Sequence, residues 1–337
     1  MPRRGRRASR AAGIRSSRRG TPLAATFSLA ASRNSHRLLR ALAACALAAG
    51  APAVHAQQIE PRAYANAPVG VNFLIAGYGY TRGGLSFDPA VPVTNARLHT
   101  SSAALAYVRT LDLWGKSGKF DVIVPYTWLS GTADREGASI QRIVNGGTDP
   151  TFRWSINLYG APALKPKDFA DYRQDLIVGG SLQVSVPSGQ YDPSRVVNLG
   201  TNRWSFKPEL GISKNLSPWT LEVAVAATLF TDNNDFYGGS RRSQDPLYSM
   251  QAHAIYGFRS GVWVALDATY FTGGRTTIGG TRSNDLQQNW RMGVTVALPV
   301  NGHDSVKLYA SSGTSSRTGN DFDLIGIAWQ HRWSGGL

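Results

Sequence analysis

Strict alternation of large apolar residues with polar or small ones, sustained over residues 288–300, constrains the fold of this chain more than any other feature. The segment reads QNWRMGVTVALPV, with an apolar residue at every even position from Trp290 to Val300. A period of two residues predicts a β-strand that has one apolar face and one polar face. Such a strand either buries its apolar face in a soluble core or presents that face to lipid in a membrane barrel.

Twelve segments of this kind lie between residues 70 and 333, and most are near the ~9–11 residues that a tilted strand needs to cross a bilayer. The connections after odd-numbered segments are long and those after even-numbered segments are short, except for 160–174. This pattern predicts an all-β fold, an antiparallel transmembrane β-barrel with short periplasmic turns and long extracellular loops. The predicted strands are 70–80, 102–110, 119–129, 150–159, 175–187, 202–213, 219–231, 247–258, 261–272, 289–300, 305–313 and 322–333.

The distribution of charge between the two faces indicates which face meets lipid. Leu221 and Val223, for example, share one face of their segment, and Glu222 lies on the other. A charge that faces lipid at mid-bilayer costs roughly 2–4 kcal/mol, so a lipid-facing surface excludes charge. Aromatic residues also end many of the apolar faces, as in the interfacial girdles of membrane barrels. We therefore predict that the lipid bilayer is a partner of this chain and is contacted by Trp290, Met292, Val294, Val296 and Leu298, while Arg291 and Thr295 face the lumen.

Residues 1–56 carry eleven Arg and neither Lys nor an acidic residue, so they account for most of the net charge of +15. The remaining residues contain 25 basic and 21 acidic side chains, a near balance that gives no support to nucleic-acid binding. Within the leader, an apolar run at 41–54 is too short to span a membrane. We predict a secretory signal peptide that is cleaved after Ala56, and export to the bacterial outer membrane.

Cys45 is the only cysteine of the chain and lies in the sequence LAAC at 42–45, which resembles a lipoprotein lipidation site. Arg40 interrupts the apolar stretch before it, which favours an ordinary cleaved signal, and lipidation stays as the alternative. In the first case the mature chain contains no cysteine, so the fold is stabilised without disulfides.

The last predicted strand, 322–333, is typical of outer-membrane barrels. Gly326, Trp329 and Trp333 fit the aromatic last strand that the barrel assembly machinery binds, although four residues follow it. We expect this machinery to be a partner of the chain. The predicted units are the leader and signal at 1–56, a short periplasmic segment without a plug role at 57–69, the barrel at 70–333 and a tail at 334–337.

The stretch VPSGQYDPSRVVNLGTNRWSFKPELGIS, residues 186–213, resembles the meta-pathway phenol-degradation family of outer-membrane transporters. VPYTW at 124–128 and GGTDP at 146–150 are weaker matches to the same family. The resemblance covers roughly 65–333 and implies an exported barrel associated with the uptake of aromatic compounds. It implies no catalytic residue. The positions that match the family motifs are Pro187, Gly189, Tyr191, Asp192, Asn198, Gly200 and Trp204.

The inward-facing positions of the predicted strands include seven basic and four acidic residues, with aromatic side chains among them. Basic groups and aromatic rings in one cavity suit a small aromatic acid or phenolate, through charge and stacking. Mutually paired charges that fill the lumen without a ligand are the alternative, since twelve strands lie between packed and open barrels. The predicted solute contacts are Arg109, Arg153, Lys207, Arg291, Lys307, Trp263, Tyr309 and Tyr107.

Enzyme signals are thin, because the sequence has no Gly-x-Ser-x-Gly elbow and no HExxH motif. Ser249 and His253 share one strand face but lie about 13 Å apart at ~3.3 Å per residue. We predict no catalytic residue, metal or cofactor. The leading hypothesis is an outer-membrane channel for passive uptake of small aromatic or hydrophobic solutes. The alternatives are a filled, non-conducting barrel with a structural or adhesive role and, third, a membrane-embedded hydrolase.

Overall fold

The structure, a computed structural model, describes residues 60–84, 94–135, 138–195, 197–318 and 321–334. The predicted signal peptide, its cleavage position, Cys45 and the last three residues of the tail lie outside the described residues. The strands of the described part are, in chain order, β1 (Val71–Gly84), β2 (Thr94–Leu113), β3 (Lys116–Arg135), β4 (Ala138–Gly147), β5 (Thr151–Tyr159), β6 (Leu176–Ser185), β7 (Ser205–Leu216), β8 (Trp219–Phe230), β9 (Asn233–Phe236), β10 (Ser240–Gln244), β11 (Leu247–Gly257), β12 (Trp263–Gly273), β13 (Thr276–Ile278), β14 (Thr281–Arg282), β15 (Gln287–Pro299), β16 (Asp304–Ser316) and β17 (Asp321–Ser334).

Twelve of these strands form a closed antiparallel barrel in the order β1-β2-β3-β5-β6-β7-β8-β11-β12-β15-β16-β17. The ring closes where Val71 of β1 pairs with Ser334 of β17. Closure pairs the backbone groups of every barrel strand on both sides, which is the condition for placing a sheet in lipid. Each predicted strand corresponds to one barrel strand, so the predicted fold class is confirmed.

Alternation along the barrel strands separates an apolar outer face from a polar inner face. On β15, Met292 is 55% exposed and the adjacent Arg291 only 1%. On β12, Leu266 is 63% exposed and the adjacent Asp267 only 4%. Since the inner side chains are hidden by the wall and by each other, the exposed apolar side chains are those that meet lipid. The chain is therefore an outer-membrane β-barrel.

Aromatic pairs mark both ends of the outer face. At the extracellular end, the rings of Tyr270 and Trp290 lie 4.8 Å apart between centroids. At the periplasmic end, Trp219 and Tyr256 meet edge to face at 5.0 Å. Aromatic side chains at both levels are typical of the two membrane–water interfaces.

Three of the long extracellular connections contain strands that the sequence does not predict. β3 continues to Arg135 and returns as β4, so residues 130–149 are mostly a hairpin. The connections 232–246 and 273–288 contribute β9, β10, β13 and β14, which pair in a separate four-stranded sheet. The glycines of these connections make tight bends between short strands; Gly279 and Gly280, between β13 and β14, both have positive φ.

The periplasmic connections are short, with the one predicted exception. Trp114 and Gly115 alone join β2 to β3, and both have positive φ, 58° and 78°. The connection between β5 and β6 contains a single helical turn, α1 (Pro166–Phe169). Among the described residues, no helix combines the length and the apolar character needed to cross a membrane.

Candidate lumen site

Residues 60–66, which we call the lumen segment, lie against the inner face of the barrel wall. Close to β1, the N–H of Val69 donates to the carbonyl oxygen of Leu164 at 2.8 Å, next to the periplasmic end of the barrel. Further along the chain toward its N-terminus, the N–H of Arg62 donates to Oε2 of Glu222 at 2.7 Å. Glu222 is buried on the inner face of β8, so the segment runs from the periplasmic end into the lumen.

This placement differs from the prediction of a periplasmic segment without a plug role. The polar backbone of the lumen segment finds partners on the inner wall; for example, Nζ of Lys119 donates to the carbonyl oxygen of Ala63 at 2.8 Å. A buried backbone oxygen without such a partner would be costly, so these contacts hold the segment inside.

Tyr64 seats the lumen segment on β6 and β7. A Cβ atom added to Gly211 would lie 2.1 Å from the Tyr64 ring, and one added to Gly179 would lie 2.3 Å from it. The Tyr64 hydroxyl donates to Oε1 of Glu209 at 2.9 Å. Only glycine leaves room for the ring at these two wall positions, because real Cβ contacts are never this short.

Arg153 joins the lumen segment to the wall. Its Nε donates to Oδ2 of Asp121 on β3 at 2.6 Å, and its Nη1 pairs with the carboxylate of Glu60. Lys207 on β7 forms an ion pair with Glu209 at 3.0 Å. Buried charges in proteins are stable only when paired in this way. Lys207 is compensated by the wall itself, and Arg153 is compensated by Asp121 of the wall and Glu60 of the segment.

A cavity of about 20 Å³ lies between the lumen segment and the strands from β5 to β11. Its lining includes Glu60, Tyr64, Arg153 and His253. This volume is space for roughly one water molecule. With the segment in place, this part of the lumen is closed to a solute of the size of an aromatic ring.

Three more predicted solute contacts also face inward: Trp263 on β12, and Lys307 and Tyr309 on β16. The guanidinium carbon of Arg62 lies 5.5 Å from the ring centroid of Trp263, so the lumen segment covers this ring too. Tyr309 packs on Gly326 of β17, where an added Cβ would lie 2.2 Å from the ring. Lys307 is two residues away from Tyr309 and shares its strand face.

Arg291 is held by the wall itself. Its Nη1 donates to the carbonyl oxygen of Phe322 at 3.0 Å and its Nη2 to Oγ of Ser311 at 2.9 Å. The guanidinium carbon also lies 3.8 Å from the centroid of the Phe322 ring. These contacts fix the β15–β16–β17 side of the barrel.

Arg109 and Tyr107 stand on the outer face of β2, and the prediction that they line the lumen is corrected. Arg109 pairs with Phe120 in the β2–β3 register, and the ring of Phe120 lies 5.1 Å from that of the exposed Trp154. The ring of Tyr107 lies 6.4 Å from that of Trp333, near the periplasmic end of the outer face.

The predicted inward direction is wrong because both faces of β2 are largely apolar. The polarity of the residues therefore does not distinguish the inner face from the outer face. The small residues point into the crowded lumen, with Ser102 and Thr110 buried there, and the large Leu105 points outward with 54% exposure. Arg109 is tolerated on the outer face because a charge near the interface costs only ~0–1 kcal/mol.

His253 forms a buried polar chain with two other wall residues. Its Nδ1 lies 2.7 Å from Oδ1 of Asp267, and Oδ2 of Asp267 accepts from the hydroxyl of Thr295 at 2.9 Å. This chain links β11, β12 and β15 and fixes the imidazole ring. Within the described residues, no group of three or more His, Cys, Asp or Glu side chains is arranged to hold a metal ion.

The motif GGTDP at 146–150 and the motif stretch 186–213 meet at the extracellular mouth through Asp149. Its carboxylate accepts hydrogen bonds from the N–H of Gly189 at 2.9 Å, the N–H of Thr201 at 2.8 Å and the Thr201 hydroxyl at 2.6 Å. We call these three bonds the loop latch. A Cβ on Gly200 would lie 2.6 Å from the carbonyl carbon of Gly189, so the two ends of the loop touch.

The remaining motif residues organise loop 186–204 and join it to β9. The Asn198 amide donates to the carbonyl oxygen of Asp192 at 3.0 Å and accepts from the Asp192 N–H at 3.0 Å. The Tyr191 hydroxyl donates to the carbonyl oxygen of Asp235 at 2.9 Å, and burial raises its pKa. Pro187 precedes the latch, and the N–H of Trp204 donates to the Thr231 hydroxyl at 2.9 Å. These motif residues therefore shape the mouth, whereas most of the predicted solute contacts lie deeper.

Comparison with known proteins finds a matching family model and solved outer-membrane barrels of similar fold. The family model described as "Putative MetA-pathway of phenol degradation" matches residues 81–330. The solved structure of an outer membrane channel from Pseudomonas putida F1 is similar with a TM-score of 0.68 at 19% identity, over 82% of this chain and 100% of that chain. The transport unit of the autotransporter AIDA-I from Escherichia coli has a TM-score of 0.43 at 10% identity, over 79% of this chain and 90% of that chain. No curated protein matches the sequence.

Proposed function

The chain belongs to the family described as "Putative MetA-pathway of phenol degradation", and from this premise we propose that it is a passive channel for the uptake of small aromatic or hydrophobic solutes. The observation that carries the proposal is that a chain segment lies inside the lumen. A short segment at residues 60–66 occupies it, and that segment is not part of the barrel wall.

The contacts of the lumen segment are mostly polar, which favours its displacement. Its buried apolar contacts centre on Tyr64, which packs with Ala161, Ile177 and Ala224. Three of its hydrogen bonds to the wall involve charged groups and contribute a net ~1.5–3 kcal/mol each, and water replaces the lost partners when the segment leaves. A segment with few apolar contacts opens at a free energy far below that of the whole fold.

Displacement of the lumen segment would also free wall side chains that can contact a solute. Without the lumen segment, Arg153 keeps Asp121 but loses Glu60, and the ring of Trp263 loses the covering guanidinium of Arg62. A basic group and a free aromatic face would then line one cavity, and this combination suits a phenolate or an aromatic acid.

Solute entry into liposomes tests the proposal. The wild-type barrel and a variant that lacks residues 60–66 would be refolded into vesicles, with protein-free vesicles as the baseline. Entry of benzoate at pH 8 would be compared with that of a sugar of similar mass. We expect benzoate to enter the wild-type vesicles faster than the sugar, and both solutes to enter faster with the deletion variant.

A filled structural or adhesive barrel is the second candidate, and the 20 Å³ cavity favours it for the closed arrangement. If neither solute enters with either protein, although both are folded, the channel proposal fails and the filled barrel is the better account. Equal entry of both solutes would leave a general pore and remove the aromatic preference.

Catalysis is the third candidate, and no observation favours it over transport. The His253–Asp267 pair connects three wall strands, which is a sufficient structural role. Hydrolysis of an ester by the wild type but not by the His253→Ala variant would be needed to support an enzyme.

Binding of the last strand by the assembly machinery stays a prediction.

A further inference from the structure

Arg203 and Arg242 lie together at the extracellular mouth, between loop 186–204 and the separate sheet. Arg242 stands opposite Asn233 in the β9–β10 register, and Oδ1 of Asn233 accepts from the amide of Asn202 at 3.0 Å. Asn202 directly precedes Arg203. Burial and the neighbouring charge of Arg242 lower the pKa of Arg203 to about 9, so the Arg203 guanidinium group is charged at pH 7.

Each of the two guanidinium groups lies over a phenyl ring. The guanidinium carbon of Arg203 is 4.4 Å from the ring centroid of Phe230, and that of Arg242 is 5.0 Å from the ring centroid of Phe236. Phe236 is almost completely buried. The mouth therefore combines two positive charges with two aromatic rings.

Arg203 does not use all its donors on the protein. Its Nη2 donates to Oε1 of Gln244, which is itself fixed through Nε2 by the carbonyl oxygen of Gly274 at 2.7 Å. Nη1 of Arg203 is buried and makes no hydrogen bond within the part of the chain that the structure describes. A buried charged donor without an acceptor is costly, so an acceptor that reaches it gains free energy.

The nearby carboxylates are committed elsewhere. Asp149 accepts the three bonds of the loop latch, and Asp232 pairs with Arg241 on the outside of the sheet. Both carboxylates are close enough to favour the charged form of Arg203, but among the described residues neither forms an ion pair with it.

We propose that Arg203, with Arg242, binds the carboxylate of a small aromatic solute at the extracellular mouth. The proposal rests on the proposed channel function and names the anionic aromatic class as its solute. The carboxylate accepts a hydrogen bond from Nη1 of Arg203, and the solute ring packs beside Phe230 and Phe236. Nη1 is out of contact with water, so the solute enters as the loops part, a motion on the ns–μs timescale.

Binding of benzoate to the folded, detergent-solubilised barrel tests this site, with benzyl alcohol as the uncharged solute of similar shape. Ligand-observed NMR would give the dissociation constants for the wild type and for R203Q and R242Q. We expect saturable benzoate binding that R203Q weakens about tenfold or more, since a charge-assisted hydrogen bond is lost. R242Q, which should weaken it less, is the second variant in case R203Q does not fold.

R241Q is the matched control, because Arg241 lies on the same sheet but pairs with Asp232. It should leave benzoate binding unchanged. The absence of saturable benzoate binding to the wild type, equal affinity for benzyl alcohol, or equal weakening by R203Q and R241Q would each overturn the proposal.

The experiments distinguish failure of the channel proposal from failure of the mouth-site proposal. If benzoate enters liposomes at the same rate with the wild type and R203Q, and neither binds it saturably, the channel stands and the mouth site is overturned. If benzoate binding depends on Arg203 but no solute enters, the mouth site is supported and the channel proposal fails.

Discussion

Glu60 and Arg153 form an ion pair inside the barrel, although 93 residues separate them in the chain. Arg153 belongs to the wall, where Asp121 on β3 orients its guanidinium group. Glu60 belongs to the lumen segment. The pair is therefore the point at which a charge on the wall holds a charge on the segment that lies in the lumen.

Glu60→Gln should make the closed arrangement less stable. The substitution keeps the size of the side chain but removes the charge, and a hydrogen bond to a charged group is worth about 1.5–3 kcal/mol. Arg153 keeps Asp121 as its counter-ion, so the barrel itself should still fold. In planar bilayers, we expect the single-channel open probability to rise by about tenfold or more.

The exposed Asp171, on the periplasmic connection, supplies the control for this measurement. Asp171→Asn also removes one negative charge, without touching the lumen segment. Equal open probabilities for the wild type, Glu60→Gln and Asp171→Asn would show that the ion pair does not hold the lumen closed.

Gly211→Ala should displace the ring of Tyr64 and so open the lumen from the wall side. The new Cβ would lie 2.1 Å from that ring, and the free segment can move more easily than the paired strand can. We therefore expect a higher conductance with a stability loss of roughly 1 kcal/mol or less, since the ring is not part of the wall. Single-channel recording and urea unfolding in lipid vesicles check the two parts.

Gly257→Ala is the matched substitution, because its Cβ would meet only the carbonyl oxygen of Pro218, at the ordinary distance of 3.6 Å. It should change neither the conductance nor the stability by a measurable amount. A Gly211→Ala variant with the conductance of the wild type would mean that Tyr64 does not close the path.

Asp149→Asn should release loop 186–204 from the mouth. The carboxylate accepts three hydrogen bonds, and an amide accepts with only one oxygen, so about 2–3 kcal/mol of local stability should be lost. Hydrogen exchange at the amides of Gly189 and Thr201 measures the change, and we expect exchange to be faster by roughly one to two orders of magnitude. Unchanged protection at both amides would contradict the loop latch.

The barrel strands were predictable because the bilayer acts on each outward side chain separately. Every second residue of a strand such as β15 must be apolar, so the signal is local and repeats along the segment. The hairpin at 130–149 was missed because β3 and β4 extend past the membrane, where no solvent boundary enforces the alternation. The short strands β9, β10, β13 and β14 lack it for the same reason.

The lumen site was predictable only in part. Arg153, Lys207 and Trp263 lie on strands with one clearly apolar face, so their inward direction followed from the period. Arg109 did not, because β2 is apolar on both faces and size rather than polarity decides its orientation. The place of Glu60 depends on a partner 93 residues away, and a short polar segment carries no periodic signal of such a partner.

Val294→Lys should destabilise the barrel in lipid through its outer face. Val294 is near the middle of β15 and is 39% exposed, beside the inward and fully enclosed Thr295. A lysine that faces lipid at the midplane costs about 2–4 kcal/mol, whereas near the interface the cost falls to ~0–1 kcal/mol. Val300→Lys, just past the periplasmic end of β15, is therefore the matched control. Reversible urea unfolding in lipid vesicles measures both, and equal losses of unfolding free energy for the two variants would show that Val294 does not lie at the depth that the barrel assigns to it.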